Sequence, residues 1–153
     1  MPGIYREERY DLAGFAVGMV SRERAIHPDR IEGDEALLAL PSSGLHSNGF
    51  SLVRALVGDF EQSWEGTPLW TQLTEPTRLY AAPLLALHQA VGVRGAAHIT
   101  GGGLYENVPR MLPSWCDAHL SKGAIRELPV HRFLRTFDVE EEELYRTFNM
   151  GVG

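Results

Sequence analysis

The 153-residue chain is long enough for one domain of ordinary size and too short for two well-filled ones. Its 44% hydrophobic and 22% charged residues are typical of a soluble globular protein and exclude intrinsic disorder and collagen-like repeats. Cys116 is the only cysteine, which excludes an intrachain disulfide and a thiolate zinc cluster.

The net charge and the amino-terminal residues indicate which partners and which cellular location to expect. A formal net charge of −6 disfavours nucleic acid and anionic membranes as partners. No long apolar block follows Met1, so neither a signal peptide nor a membrane span is predicted, and we expect a cytoplasmic protein.

The first predicted element is a strand over 11–21. Phe15, Val17 and Met19 alternate there with small residues, so one face is bulky and the other nearly bare. Such a strand needs a sheet or a partner edge to join. Residues 22–33, which contain Pro28 and several charges, predict a domain boundary.

A strand, a loop and a helix are predicted next. Residues 36–40 form a short apolar run that is typical of a strand covered on both faces. The small and polar residues 42–49 predict a loop. A helix is expected over 50–57, with Ser47 or Asn48 as its N-cap.

The same order of elements returns later in the chain. Residues 96–99 predict a strand, Thr100 and three glycines a loop, and Leu104 the start of a helix that Pro109 shortens. Between the two units, residues 77–91 predict a helix that starts later if Pro83 is its first position. The other predicted elements are a strand over 116–120, helices over 129–137 and 139–145, and the opening of a strand over 148–153.

Both loops are candidate anion sites. A loop between a strand and a helix directs unpaired backbone N–H groups and the positive end of the helix dipole to one point. If both strands run the same way in one sheet, loops 42–49 and 100–103 open on the same edge, and a phosphate-bearing ligand would lie between them. The three glycines alone also fit a tight turn, since they match neither a dinucleotide fingerprint nor a Walker loop.

His46 is the candidate for proton chemistry. An unperturbed imidazole titrates near neutrality, so His46 could act as general acid, as general base, or as hydrogen-bond donor to developing charge. The simpler interpretation is a loop histidine that caps a turn. Asn48 could contact ligand or only cap the helix, and His98 is interpreted as a packing residue of the strand. The spacing of the histidines predicts no metal site.

Six segments, which include the strings LPSSGLHSNGFSLVR and HITGGGLYENVPR, carry a family resemblance: 1–5, 10–18, 40–54, 75–80, 98–110 and 146–153. Together they are similar to aminoimidazole ribonucleotide synthetase, also called phosphoribosylformylglycinamidine cyclo-ligase, of purine biosynthesis. The resemblance implies an α/β (α+β) fold with a mixed sheet flanked by helices. It also implies that residues 1–25 end an N-terminal ATP-side domain, and that residues 26–153 form a C-terminal substrate-binding domain that is incomplete at its C-terminus.

The resemblance further implies an ATP- and magnesium-dependent ring closure of formylglycinamidine ribonucleotide. His46 would be the catalytic candidate, and a homodimer that binds a small ribonucleotide is expected. The signature Asp-Gly-Val-Gly-Thr-Lys and further magnesium carboxylates of the family are missing, so we expect a fragment that does not turn over alone. The implied substrate-binding residues are Ser43, His46, Ser47, Asn48, Thr100, Gly101, Gly102, Gly103 and Asn107.

Two alternatives stay open. The chain could belong to another enzyme of the same superfamily, such as formylglycinamidine ribonucleotide synthetase, selenophosphate synthetase or thiamine phosphate kinase. The amino-acid sequence of residues 100–107 favours the cyclo-ligase. A non-catalytic binding or assembly module is the second alternative, because the half-bare strand predicted over 11–21 needs a partner edge.

Overall fold

The computed structural model describes residues 12–153. Segment 1–5 and the first residues of segment 10–18 and of the strand predicted over 11–21 lie outside the described residues. The described helices are α1 (Phe50–Leu56), α2 (Leu69–Leu73), α3 (Ala81–Val91), α4 (Gly103–Asn107), α5 (Pro129–Leu134) and α6 (Glu141–Thr147). Short 3₁₀ turns cover Arg22–Arg24, Pro28–Arg30, Pro109–Met111 and Lys122–Ala124.

The β-structure is a small antiparallel sheet. Strand β1 (Ser63–Trp64) pairs with β2 (Thr67–Pro68), and the two residues between them, Glu65 and Gly66, have positive φ angles of 49° and 79°. Two residues with positive φ form the tight turn that matches the twist of a hairpin. Helices combined with this sheet confirm the predicted α/β class.

The strand predicted over 11–21 is wrong for its described residues 12–21. They form no ladder, and Phe15 and Val17 are 96% and 90% exposed. A strand is held by hydrogen bonds to a neighbouring strand, and residues 12–153 offer it none.

The strands predicted over 36–40, 96–99 and 116–120 are also wrong, because these segments form no regular ladder within the described part of the chain. Only the end of the first segment pairs. Leu40 O accepts a 2.9 Å hydrogen bond from Gly153 N–H, and Pro41 forms an isolated antiparallel bridge with Val152. The strand opening predicted over 148–153 is therefore present only as this bridge.

The helix predictions are confirmed with shifted ends. The helices expected over 50–57, from Leu104, and over 129–137 and 139–145 correspond to α1, α4, α5 and α6. Helix α3 starts at Ala81 instead of residue 77, so Pro83 is its third residue. A proline is tolerated there because the first N–H groups of a helix have no intrahelical partner. The hairpin and α2 were not predicted.

The core lies between the helices and the C-terminal segment. Helix α4 packs against α6, and α2 and β1 pack against α5. Gly103, at the start of α4, approaches the Tyr145 carbonyl so closely that a Cβ atom would overlap it. This close approach fixes where the loop over 100–103 enters α4. The core residues that are at most 1% exposed are Leu45, Val53, Leu69, Leu134, Leu144, Phe148 and Met150.

Candidate functional site

The loop over 42–49, here the histidine loop, is turned by left-handed backbone. His46 and Ser47 have φ angles of 53° and 60°, and Gly49 has 75°. For a residue with a side chain this conformation costs on the order of 1 kcal/mol or more, and it is found at sites whose surroundings enforce it. Leu45, which is completely buried, anchors the turn to the core.

The N-cap prediction for α1 is corrected by this loop. Gly49 occupies the N-cap position, and no side chain caps the helix. The Asn48 amide instead donates a 2.8 Å hydrogen bond to the His46 carbonyl. It therefore holds the turn that presents His46.

Ser43 determines the tautomer of His46. The Ser43 backbone N–H donates to His46 Nε2 at 3.0 Å, so Nε2 carries a lone pair and the ring proton of the neutral imidazole is on Nδ1. The Ser43 hydroxyl lies 3.0 Å from the same Nε2 and donates to the Pro76 carbonyl at 2.7 Å. Nε2 is thus fully engaged within the protein.

His46 Nδ1 is a buried polar atom without a partner among the described residues. The residue is only 5% exposed, so water does not readily replace the missing partner. An unmet buried donor costs about 1–3 kcal/mol, which a ligand oxygen could recover.

Burial and nearby charge keep His46 neutral. Burial is the largest cause that lowers the His46 pKa, and His98 and Arg78 lower it further by charge repulsion. At neutral pH the ring is a neutral donor through Nδ1–H. Of the roles considered for His46, donation to developing charge fits this arrangement best, because the lone pair needed by a general base is already bound to Ser43.

The loop over 100–103, here the glycine loop, is shaped by Asn107. This residue is 4% exposed, and its amide donates to the carbonyls of Gly103, Gly101 and Thr100 at 2.8, 3.1 and 3.3 Å. Asn107 Oδ1 accepts from Arg110 at 3.1 Å. The side chain is occupied by the loop itself, so any role of Asn107 in binding would act through the shape of the loop.

The two loops lie side by side. A Cβ atom placed on Gly101 would be 3.9 Å from Asn48 Oδ1, which is ordinary van der Waals contact. This proximity arises without the shared sheet from which it was expected. The candidate residues on both loops are therefore brought to one place, except that the amide of Asn107 points into its own loop and Gly103 is buried against α6.

An open cavity of about 310 Å³ adjoins the glycine loop. His98, Thr100 and Arg110 give it polar walls, and Met111 with two alanines gives it an apolar wall. The sequence interpretation of His98 as a packed strand residue is wrong, because His98 is exposed and lines this cavity.

Residues 75–80 were not assigned a role from the sequence, although they form one of the segments that carry the resemblance. Tyr80 lies with its ring centroid 6.0 Å from that of His46, and its hydroxyl donates to the Pro41 carbonyl at 2.9 Å. The segment therefore forms one wall beside the histidine loop.

The described residues do not suit a metal ion. No group of three or more His, Cys, Asp or Glu side chains within 12–153 is arranged to hold one. Magnesium prefers carboxylate and water oxygens, and no carboxylate cluster faces either loop in this part of the chain. No helix among residues 12–153 is both long and apolar enough to cross a membrane.

Comparison with known proteins shows the family to which the chain belongs. The chain matches the family described as "AIR synthase related protein, C-terminal domain" over residues 32–153, and it belongs to that family. The match lies inside the domain predicted over 26–153.

The full-length relatives carry one name. The chain is 49% identical to phosphoribosylformylglycinamidine cyclo-ligase of Geobacillus kaustophilus over 163 aligned positions, and 42% identical to the proteins of the same name from Clostridium novyi and Clostridium acetobutylicum over 153 positions. Each alignment covers 100% of this chain and 46% of the relative. The chain thus spans about half the length of the curated relatives it matches.

Proposed function

We propose that this chain supplies the substrate-binding part of a phosphoribosylformylglycinamidine cyclo-ligase of purine biosynthesis. The observation that carries the proposal is the short distance between the histidine loop and the glycine loop: a Cβ placed on Gly101 would lie 3.9 Å from Asn48 Oδ1. The names of the relatives support it.

The reaction is an ATP-dependent ring closure. The γ-phosphoryl group of ATP is transferred to the formyl oxygen of formylglycinamidine ribonucleotide, and ADP leaves. An internal nitrogen then attacks the activated carbon, and the C–O bond breaks to release phosphate and a proton. The product is aminoimidazole ribonucleotide. Such chemistry depends on positioning and charge stabilisation more than on a protein nucleophile.

The two loops have different tasks in this proposal. Thr100, Gly101 and Gly102 hold the ribose phosphate through the glycine loop, whose shape Asn107 and Gly103 maintain. His46 lies near the reacting groups and donates Nδ1–H to developing negative charge. The other candidate residues of the histidine loop have supporting roles: Ser43 orients the imidazole, and Ser47 and Asn48 line the groove.

No carboxylate cluster among residues 12–153 fits a metal ion. We propose that the remaining half of a full-length enzyme binds both ATP and magnesium, so the 153-residue chain does not turn over alone. A cytoplasmic homodimer without nucleic acid or membrane partners is the assembly we propose, in keeping with the charge of −6.

Binding of ribose 5-phosphate tests the glycine loop. Gly102 has a φ of 93°, and a Cβ there would lie 2.7 Å from Glu106 Cβ. We expect Gly102→Val to abolish binding measured by isothermal titration calorimetry while the folded circular dichroism spectrum is kept. Gly92→Val is the matched control, since Gly92 has a φ of 72° and open space around it.

Two results would overturn the proposal. If Gly102→Val binds as tightly as the unaltered chain, the glycine loop does not hold the phosphate. If the purified chain with ATP and magnesium closes the ring at an appreciable rate, the nucleotide site has been assigned to the wrong part of the protein.

A further inference from the structure

The segment over 75–80 is tied to the histidine loop at both ends. The Ser43 hydroxyl donates to the Pro76 carbonyl at 2.7 Å, and the Tyr80 hydroxyl donates to the Pro41 carbonyl at 2.9 Å. Near its start the segment also approaches Gly44, where an added Cβ would lie 3.0 Å from Glu75 Cβ. Its middle residue, Arg78, is therefore held beside the loop that carries His46.

Arg78 is exposed and has no ion-pair partner among residues 12–153. Four other arginines differ in this respect. Arg94, Arg132, Arg135 and Arg146 each contact a glutamate at 2.6–2.7 Å. A guanidinium that no carboxylate neutralises can bind an oxyanion by charge-assisted hydrogen bonds.

A second, independent feature is present at the same place. His46 is only 5% exposed, and its Nδ1 has no hydrogen-bond partner among the described residues. Arg78 and His98 are near enough for their charges to lower the His46 pKa after the larger effect of burial. A buried neutral donor and two basic side chains thus lie near one another at the histidine loop.

We propose that Arg78 and His46 Nδ1–H together form a phosphate-binding point, separate from the glycine loop. The inference rests on the proposed function in taking the ligand to carry phosphate. The phosphate is the free phosphate released by the reaction, because the proposed function places the ribose ester at the glycine loop. Its dianionic oxygens accept hydrogen bonds from a guanidinium and an imidazole N–H.

The test uses the 153-residue chain with ¹⁵N-labelled histidine. Inorganic phosphate and ribose 5-phosphate are titrated separately, and the imidazole resonances of His46, assigned by His46→Gln, are followed by NMR. In the unaltered chain, we expect inorganic phosphate to shift the His46 resonances. In Arg78→Gln, we expect the affinity for inorganic phosphate to fall tenfold or more. Arg78→Lys should recover part of the affinity because it keeps the charge.

The controls separate this inference from the proposed function. Arg30→Gln is the matched control, since Arg30 is exposed and has no ion pair within the described residues. In Gly102→Val, inorganic phosphate should still shift the His46 resonances, because the point is separate from the glycine loop; loss of that response would overturn the inference. If Arg78→Gln keeps the affinity for inorganic phosphate within twofold, or if His46 does not respond to it, this inference falls, while a loss of ribose 5-phosphate binding in Gly102→Val leaves the proposed function standing. If the unaltered chain binds neither probe, both fall.

Discussion

Asn149 and Gly44 lie 105 positions apart in the chain, and the Asn149 side-chain amide donates a 2.7 Å hydrogen bond to the Gly44 carbonyl. Asn149 Oδ1 accepts two further bonds, from the Ser42 hydroxyl at 3.1 Å and from the Gly151 N–H at 3.0 Å. Asn149 is completely buried. One side chain therefore joins the C-terminal segment to the base of the histidine loop.

Asn149→Ala should destabilise the protein strongly. The change leaves three buried polar groups without a partner, and each such group costs about 1–3 kcal/mol. Allowing for relaxation, we expect the free energy of unfolding, measured with urea, to fall by about 2–4 kcal/mol. Gln62→Ala is the control, since the exposed Gln62 amide bonds only to the Asp59 carbonyl. If Asn149→Ala lowers the free energy of unfolding no more than this control does, Asn149 does not anchor the histidine loop.

Gly103→Ala tests the close packing of α4 on α6. An added Cβ would overlap the Tyr145 carbonyl and lie 2.9 Å from the Phe148 carbonyl, and the φ of 55° is unfavourable for alanine. We expect a loss of about 2–4 kcal/mol in urea unfolding. Gly58→Ala, where nothing lies within 4 Å, should change stability little. Equal effects of the two substitutions would show that the helices separate easily.

Asn107→Asp tests whether this side chain shapes the glycine loop. Aspartate has no N–H to offer the carbonyls of Gly101 and Gly103, and its charge repels them. We expect ribose 5-phosphate to bind about tenfold more weakly or worse by calorimetry, which corresponds to a loss of about 1.4 kcal/mol. Gln62→Glu makes the same amide-to-acid change at an exposed position and should leave binding unaltered.

His131 should make stability depend on pH in the acidic range. Its Nδ1 accepts from the Leu128 N–H at 3.3 Å, its Nε2 has no partner in the described residues, and burial is the main cause that lowers its pKa from 6.5 to about 4. Because the folded pKa lies below the unfolded value, the unfolded chain binds the proton first as pH falls. The stabilising contribution is therefore complete above pH 6.5 and is lost as pH falls toward 4.

The size of this effect is on the order of 3 kcal/mol. Urea unfolding at several pH values between 7 and 4 would measure it. We expect His131→Phe to flatten the pH dependence in this window, whereas His119→Gln, at an exposed histidine, should retain it. A His131→Phe variant with the full pH dependence would assign the effect to other groups.

Helices were predictable because their signals are local. The apolar positions Leu52, Val53 and Leu56 define α1, and Gly92 ends α3 in a left-handed conformation. Helix hydrogen bonds join residues four positions apart, so a short window of sequence contains both partners. The motifs on the two loops were recognisable for the same reason, since their residues are contiguous.

Strands and site geometry could not be predicted in this way. The runs over 36–40 and 96–99 have strand composition, yet a ladder also requires a partner strand, and none pairs with these runs along their length among the described residues. The tautomer of His46, the position of Arg78 and the anchoring by Asn149 likewise depend on contacts that no local pattern records.

The amino-acid sequence alone determined the family resemblance, the helices and the residues of both candidate loops. Tertiary structure decided that the two loops lie side by side, that Nδ1 of His46 has no partner among the described residues, and that the segment containing Arg78 is bonded to the histidine loop. The physical reason is the range of the interactions. Helical hydrogen bonds and turns are closed within a few residues, whereas a binding site is assembled from groups that only folding brings within a few ångströms of one another.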